Sequence, residues 1–178
     1  MRIYEDSFPP EERRPYASPE EMAAFMAAPE RDMDALVAED SAGVVEGFLT
    51  YWRFPVFHYV EHLAVRREAR GAGTGAALIK ALAARCGGRI LLEVERPELM
   101  DSEEEADTAR RRIGFYRRLG LRPHPELRYV QPSYAPGLPG VELMLMTSGL
   151  TGAPEKGDVE RLIREVYGST GAVPPRQA

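Results

Sequence analysis

Apolar and polar positions alternate in short runs through the first third of the chain, then shift to a helical period. Residues 33–39 and 44–54 read as strands joined by the turn Asp40-Ser41-Ala42-Gly43. Pro55 closes the second run, and a third strand follows over residues 56–65. Links this short make the three strands antiparallel neighbours. Along residues 59–65, strict alternation predicts Tyr59, Glu61, Leu63 and Val65 on one face, and Val60, His62 and Ala64 on the other. Residues 73–85 are good helix formers with an apolar stripe through Leu78 and Leu82, ended by Gly87-Gly88. The run 89–95 is the next strand, and a strand–helix–strand unit sets it parallel to residues 59–65.

Other elements flank this unit. Residues 1–5 read as a short first strand, and the proline-broken segment that follows reads as loop. Ser18-Pro19-Glu20-Glu21 has the order of a helix start, and that helix would turn Met22, Phe25 and Met26 inward before stopping at Pro29. Ser102, with Glu105 three residues on, caps a helix that runs to about Leu119 and ends at Gly120. Residues 127–131 and 141–147 read as the last strands. Residues 158–167 make a short helix with Val159, Leu162, Ile163 and Val166 on one side, and residues 168–178 have the composition of a flexible tail. The expected fold is α/β (α+β), with a mixed, mostly antiparallel central sheet of about seven strands, one parallel pair and flanking helices. Residues 1–149 would be the domain and residues 150–178 a C-terminal extension.

Composition narrows the function. The 178 residues suit one domain, and 44% hydrophobic with 29% charged residues predicts a buried core. A net charge of −5 argues against a nucleic-acid partner and favours cationic amines. A single cysteine, Cys86, precludes an internal disulfide and favours a reducing cytoplasm. No apolar run approaches a membrane span and the N-terminus has no apolar signal region, so a soluble, cytoplasmic protein is expected. No His/Cys/carboxylate spacing suggests a metal site.

The chemistry is concentrated after residue 65. Gly71, Gly73 and Gly75 occupy a turn that opens a helix, where unpaired N–H groups and the helix dipole converge on an anion, commonly a phosphate. A P-loop would need Lys directly after Gly75, but Lys80 comes a full turn too late. A dinucleotide fingerprint would need a third glycine where Ala76 stands, although Glu93 and Glu95 lie near the distance of its acidic residue; that alternative is weakened and stays open. Arg70-Gly71-Ala72-Gly73-Thr74-Gly75 resembles the coenzyme-A-binding motif, Arg/Gln-x-x-Gly-x-Gly/Ala, of the GCN5-related N-acetyltransferases (GNAT), and the strand ending Leu63-Ala64-Val65 precedes it as that family requires. Downstream, Tyr116 stands four residues before Gly120-Leu121, which resembles the second hallmark of the same family. The resemblance covers roughly residues 1–147.

That resemblance implies a GNAT domain whose two parallel strands splay apart, with acetyl-CoA as co-substrate and no metal. Residues 70–75 would bind the diphosphate, and backbone N–H groups of Leu63, Ala64 and Val65 the pantetheine arm and thioester carbonyl. Arg66 and Arg67 would reach the 3′-phosphate or be solvated, and the arginines around Tyr116 (Arg110, Arg111, Arg112, Arg117 and Arg118) would form a solvated face of helix ion pairs or contact the nucleotide. Tyr116 would be the general acid and Glu61 the first choice of general base, with Glu93 and Glu95 able to hold the base or bind a cationic acceptor. Phe8 would help wall the acceptor side, His62 would be structural, and His124 would lie in a surface loop. Two positions depart from the pattern: Leu121 replaces the commoner Phe, and Arg96-Pro97 stands where many members place Asn. The implied function is acetyl transfer by direct attack of a primary amine of a small molecule or peptide, since no Cys or Ser nucleophile lies near the motif. A homodimer is left open. The alternatives are a catalytically silent acyl-CoA-binding module and an interaction protein that recruits a partner through its last helix.

Overall fold

The parallel pair lies in the middle of a seven-stranded sheet in the computed structural model, which describes residues 2–9, 12–134 and 138–168. Three strands, β1 (Met33–Glu39), β2 (Val45–Arg53) and β3 (His58–Val65), run antiparallel in succession. Helix α3 (Thr74–Arg85) crosses over to β4 (Ile90–Glu95), which pairs in parallel with β3. On the far side of β4 lies β7 (Val141–Ser148), antiparallel to it. Short strands β5 (Arg122–Pro123) and β6 (Tyr129–Gln131) both pair with β7.

The sheet has the expected strand number with one exchange of membership. Residues 1–5 are not a strand; helix α1 (Arg2–Ser7) replaces it, and β5 makes up the seven. The segment is too short for periodicity to decide, and tertiary packing decides instead. Tyr4, its buried residue, sits against β3, with its ring 5.0 Å from that of His62 and its hydroxyl accepting from the Arg14 amide at 2.7 Å. The two capped helices start where sequence placed them. Ser18 accepts from the Glu21 amide ahead of α2 (Pro19–Ala27), and Ser102 with Glu105 forms a full capping box ahead of α4 (Glu103–Arg118).

Two cores cover the two faces of the sheet. The first packs Leu78, Ile79 and Leu82 of α3 and Ile113 of α4 against Leu49, Tyr51, Val60 and Leu92. The second packs α5 (Lys156–Tyr167) against Trp52, Tyr59, Leu91, Tyr129 and Leu145. In α5 the residues Val159, Leu162, Ile163 and Val166 recur at helical spacing and are all buried. Each such side chain contributes about 1.5–3 kcal/mol on full burial, so α5 is a stabilising layer of the fold. Of the expected tail, residues 168–178, all but Gly168 lie outside the described residues. Among the described residues, no helix is long and apolar enough to cross a membrane.

Candidate active site

Beyond Val60 and Leu92 the strands β3 and β4 no longer pair, although β3 continues to Val65 and β4 to Glu95. A cleft of about 670 Å³ occupies the gap. It brings together Phe8, Glu61, Leu63, Ala64, Val65, Arg70, Glu93, Glu95 and Tyr116, residues drawn from five parts of the chain.

A β-bulge sets what β3 presents to this cleft. Tyr51 pairs with Val60 and Thr50 with His62, so Glu61 is an extra residue. The expected alternation therefore fails at this point. Val60 and Leu63 both pack toward the first core, while Glu61 and His62 share the opposite face, bonded to Trp52 and Thr50. His62 does not point away from Glu61: their nearest polar atoms are 4.0 Å apart. The bulge also re-phases the backbone. The His58 amide donates toward β4, to the Arg89 carbonyl at 2.8 Å, while the Arg66 amide donates to Glu46 on the β2 side at 2.7 Å. Alternation back from Arg66 turns the Ala64 amide to β2 and the Leu63 and Val65 amides to the gap. Of the three amides expected there, two face the cleft, and the Val65 carbonyl accepts from Arg70 Nε at 3.1 Å.

The glycine turn follows. Gly71 (φ +86°) and Gly73 (φ +94°) hold left-handed conformations that side-chain-bearing residues rarely adopt. Gly73 is the N-cap of α3 and supplies no side-chain acceptor. Among the described residues, no hydrogen bond occupies the amides of residues 71–76, whereas the Arg70 amide bonds to the Arg67 carbonyl at 3.3 Å. Thr74 donates its hydroxyl to Glu46 at 3.3 Å. Open first-turn amides at the positive end of a helix dipole suit an anion. Arg2, Arg66, Arg67 and Arg70 line an adjoining cleft of about 650 Å³, so the surroundings are cationic. The turn thus fits the diphosphate of coenzyme A.

Helix α4 delivers Tyr116, which continues the inward row Ala106, Ala109 and Ile113. Burial pushes its hydroxyl up to about 12, so it stays protonated as a donor. Arg112 pairs with Glu95, and Arg110 pairs on the helix surface with Glu103 and Asp107.

The carboxylates differ sharply. Glu61 is 1% exposed at the side chain and receives Arg14 Nε at 2.7 Å, Trp52 Nε1 at 2.9 Å and the Tyr134 hydroxyl. Burial alone would raise its pKa, but Arg14, His62, Tyr134 and Trp52 together hold it below the usual range. Glu93 lacks a cationic partner among the described residues. Tyr129 donates to its Oε1, and the Tyr167 hydroxyl stands 3.4 Å from Oε2. Burial raises Glu93 to about 7 against the pull of its tyrosine hydrogen bonds, and the charge on Glu61 adds to the rise. His62 is kept neutral by burial, which outweighs Glu61, and Phe8 packs edge-on to its ring at 4.7 Å.

Sequence reasoning pointed to the loops that hold Arg14 and Tyr134 without giving either residue a role, and missed Tyr129 and Tyr167. Arg14 lies in the proline-bounded loop with no periodicity to mark it, yet its guanidinium lies over Phe25, Trp52 and Tyr134, at 4.6, 5.5 and 4.7 Å from the ring centroids. The tyrosines come from segments whose convergence no local pattern announces. His124 is buried rather than in a surface loop: its Nε2 and the Thr147 hydroxyl are 2.7 Å apart. Arg96, standing at the departure noted in sequence, donates to the Leu127 carbonyl at 2.7 Å and braces the segment before β6.

Comparison with known proteins gives a consistent result. The family model of the acetyltransferase (GNAT) domain matches residues 31–123. A GNAT-family protein from Bacteroides thetaiotaomicron shares 31% identity at a TM-score of 0.78, over 95% of this chain and 90% of that one. A phosphinothricin acetyltransferase from Sinorhizobium meliloti, solved with AcCoA, superimposes at a TM-score of 0.56 with 20% identity, covering 88% and 86% of the two chains. A GCN5-related N-acetyltransferase from Kribbella flavida gives 0.50 with 20% identity over 78% and 80%. No curated protein matches the chain. Family match, structural likeness and site geometry agree: the chain belongs to the GNAT acetyltransferase family.

Proposed function

We propose that the protein is an acetyl-CoA-dependent N-acetyltransferase acting on a primary amine of a small molecule or peptide. The observation that carries this is a cleft in the gap between the splayed strands that is lined by Leu63, Val65 and Tyr116, with Arg70, the residue that leads into the open amides before α3, at its edge. The likeness to a solved AcCoA complex supports the choice of co-substrate. Bound there, acetyl-CoA would supply an acyl thioester to an amine in the same cleft.

The residues have distinct tasks in this proposal. The amides of residues 71–76 hold the diphosphate. The Leu63 and Val65 amides bond the pantetheine arm and the carbonyl oxygen as it gains negative charge; one such preorganised donor is worth about 3 kcal/mol of barrier. Tyr116 donates its proton to the departing sulfur. Glu93 accepts the proton of the amine, being partly exposed to the cleft and near half ionised at neutral pH. Glu61, the first choice from sequence, has both oxygens engaged and a depressed pKa, so it holds Arg14 and shapes the acceptor wall. Glu95, paired with Arg112, keeps the other end of the cleft polar. We place the protein in the cytoplasm, where the lone buried thiol of Cys86 would stay reduced.

The test is thiol release from acetyl-CoA across a broad amine panel, in the parent and in Tyr116→Phe. We expect turnover in the parent and a loss of about 10²–10⁴-fold in kcat in the variant, with affinity for coenzyme A unchanged. Binding of coenzyme A without turnover of any amine, and with no difference between the two proteins, would instead support a silent acyl-CoA-binding module.

A further inference from the structure

Both carboxylates of the acceptor side are tied to the same turn of α5, an element outside the span that the family model matches. The Tyr167 hydroxyl lies 2.7 Å from that of Tyr59, accepts from Gln131 Nε2 at 2.9 Å and stands 3.4 Å from Glu93 Oε2. One residue earlier, the Val166 carbonyl accepts from Arg14 Nη2 at 2.7 Å, and the same guanidinium donates through Nε to Glu61. The Tyr167 ring also packs on Tyr134 at 5.0 Å, whose hydroxyl donates to Glu61.

We propose that the last turn of α5 is part of the catalytic apparatus, with Tyr167 the positioning residue that holds Glu93 for proton acceptance. This deepens the function proposed above and rests on Glu93 being the base. The proposal sets the direction of the bonds. The side-chain amide of Gln131 donates to the Tyr167 oxygen; with the Tyr59 hydroxyl, 2.7 Å away, donating to the same oxygen, the Tyr167 proton goes to Glu93 Oε2, while Tyr129 from β6 donates to Oε1. Two tyrosines on separate elements thus grip the two oxygens and set the orientation of the carboxylate. Apolar anchoring by Leu162 and Val166 fixes α5 on the sheet, so the hydroxyl is presented from a packed element rather than a loop.

The groups facing Glu93 are Tyr59 and Glu61 from β3, Tyr129 from β6 and Tyr167 from α5. The Glu61 charge opposes ionisation of Glu93 and the tyrosine donors favour it. Removing the Tyr167 hydroxyl while keeping its ring should therefore raise the pH at which the base form appears.

The experiment uses the full chain with Tyr167→Phe, Leu162→Ala and Glu93→Gln. In the parent, kcat/KM for the amine should rise through an acid limb near pH 7. In Tyr167→Phe that limb should move up by about one unit, giving roughly tenfold less activity below it and recovery at alkaline pH. Leu162→Ala, which loosens the anchored helix that presents the Tyr167 hydroxyl, should lower the Tm and move the limb in the same direction as Tyr167→Phe, by less. A separate readout needs no turnover: the carboxyl ¹³C signal of Glu93, assigned by its loss in Glu93→Gln, should titrate at higher pH in Tyr167→Phe. An unmoved ¹³C titration and limb overturn the role of Tyr167. A limb that survives in Glu93→Gln overturns Glu93 as the base, and is recognisable as a failure of the underlying function assignment.

Discussion

The two sides of the cleft are built from different material. In the proposed function the coenzyme side is backbone: amides of residues 71–76 at the start of α3, and the Leu63 and Val65 amides along β3. The acceptor side is side chains, with Arg14, Glu61, Glu93, Tyr129, Tyr134 and Tyr167 converging from segments more than a hundred residues apart. A backbone device serves any chain that folds this way and tolerates most side chains. A side-chain network serves one acceptor shape and fails with the loss of one member. Recognition of the common coenzyme and of the particular acceptor can then vary independently.

The sharpest way to break that comparison is Arg14→Ala. Arg14 is 10% exposed and Glu61 1% at the side chain, so the substitution leaves a buried carboxylate without its cation. We expect a loss of about 3–5 kcal/mol of stability in denaturant unfolding, with affinity for coenzyme A in the remaining folded protein unchanged. A loss below about 1 kcal/mol would show that the acceptor side is no more tightly coupled than an ordinary surface.

Glu93→Gln should act in the opposite sense on stability. The folded pKa of Glu93, about 7, lies above that of an unfolded glutamate, so its contribution is fully present at acid pH and lost as pH rises through 7. The variant is isosteric and cannot ionise. Its stability relative to the parent should therefore grow between about pH 4.5 and 7, reaching on the order of 2–3 kcal/mol, as read from unfolding curves at stepped pH. A constant difference across that range would remove the burial argument for Glu93.

The smallest expected effect is on the backbone side. Gly73 has φ +94°, and a Cβ added there meets nothing within 4 Å, so Gly73→Ala is opposed by conformation alone. About 1 kcal/mol of stability should be lost, with several-fold weaker binding of coenzyme A by calorimetry and no change in the acid limb. A shifted limb would mean that the two sides are not separate.

The same contrast explains what could be seen in the sequence. A glycine turn is contiguous, so Gly71, Gly73 and the strand before them are legible together, and Ser18 and Ser102 mark their helices because caps are local. The bulge at Glu61 was not legible, because an extra residue is defined by the partner strand and leaves no mark on β3 itself. Arg14 and Tyr167 carry no periodic signal, since their roles exist only once α5 and the proline loop meet over β3. Residues 1–5 form a helix and not the expected strand, because alternation over so few positions cannot compete with the burial of Tyr4.

The short parallel contact between β3 and β4 has a mechanical consequence. The two strands share only the rungs His58–Ile90, Tyr59–Leu91 and Val60–Leu92, while β3 is laced to β2 and β4 to β7 along nearly their whole lengths. The slot is therefore a tear that stops at Val60 and Leu92, with each lip sewn to its outer neighbour. In the proposed function a thioester would slide into it without any strand giving up a bond, and the width it meets would be set before it arrives.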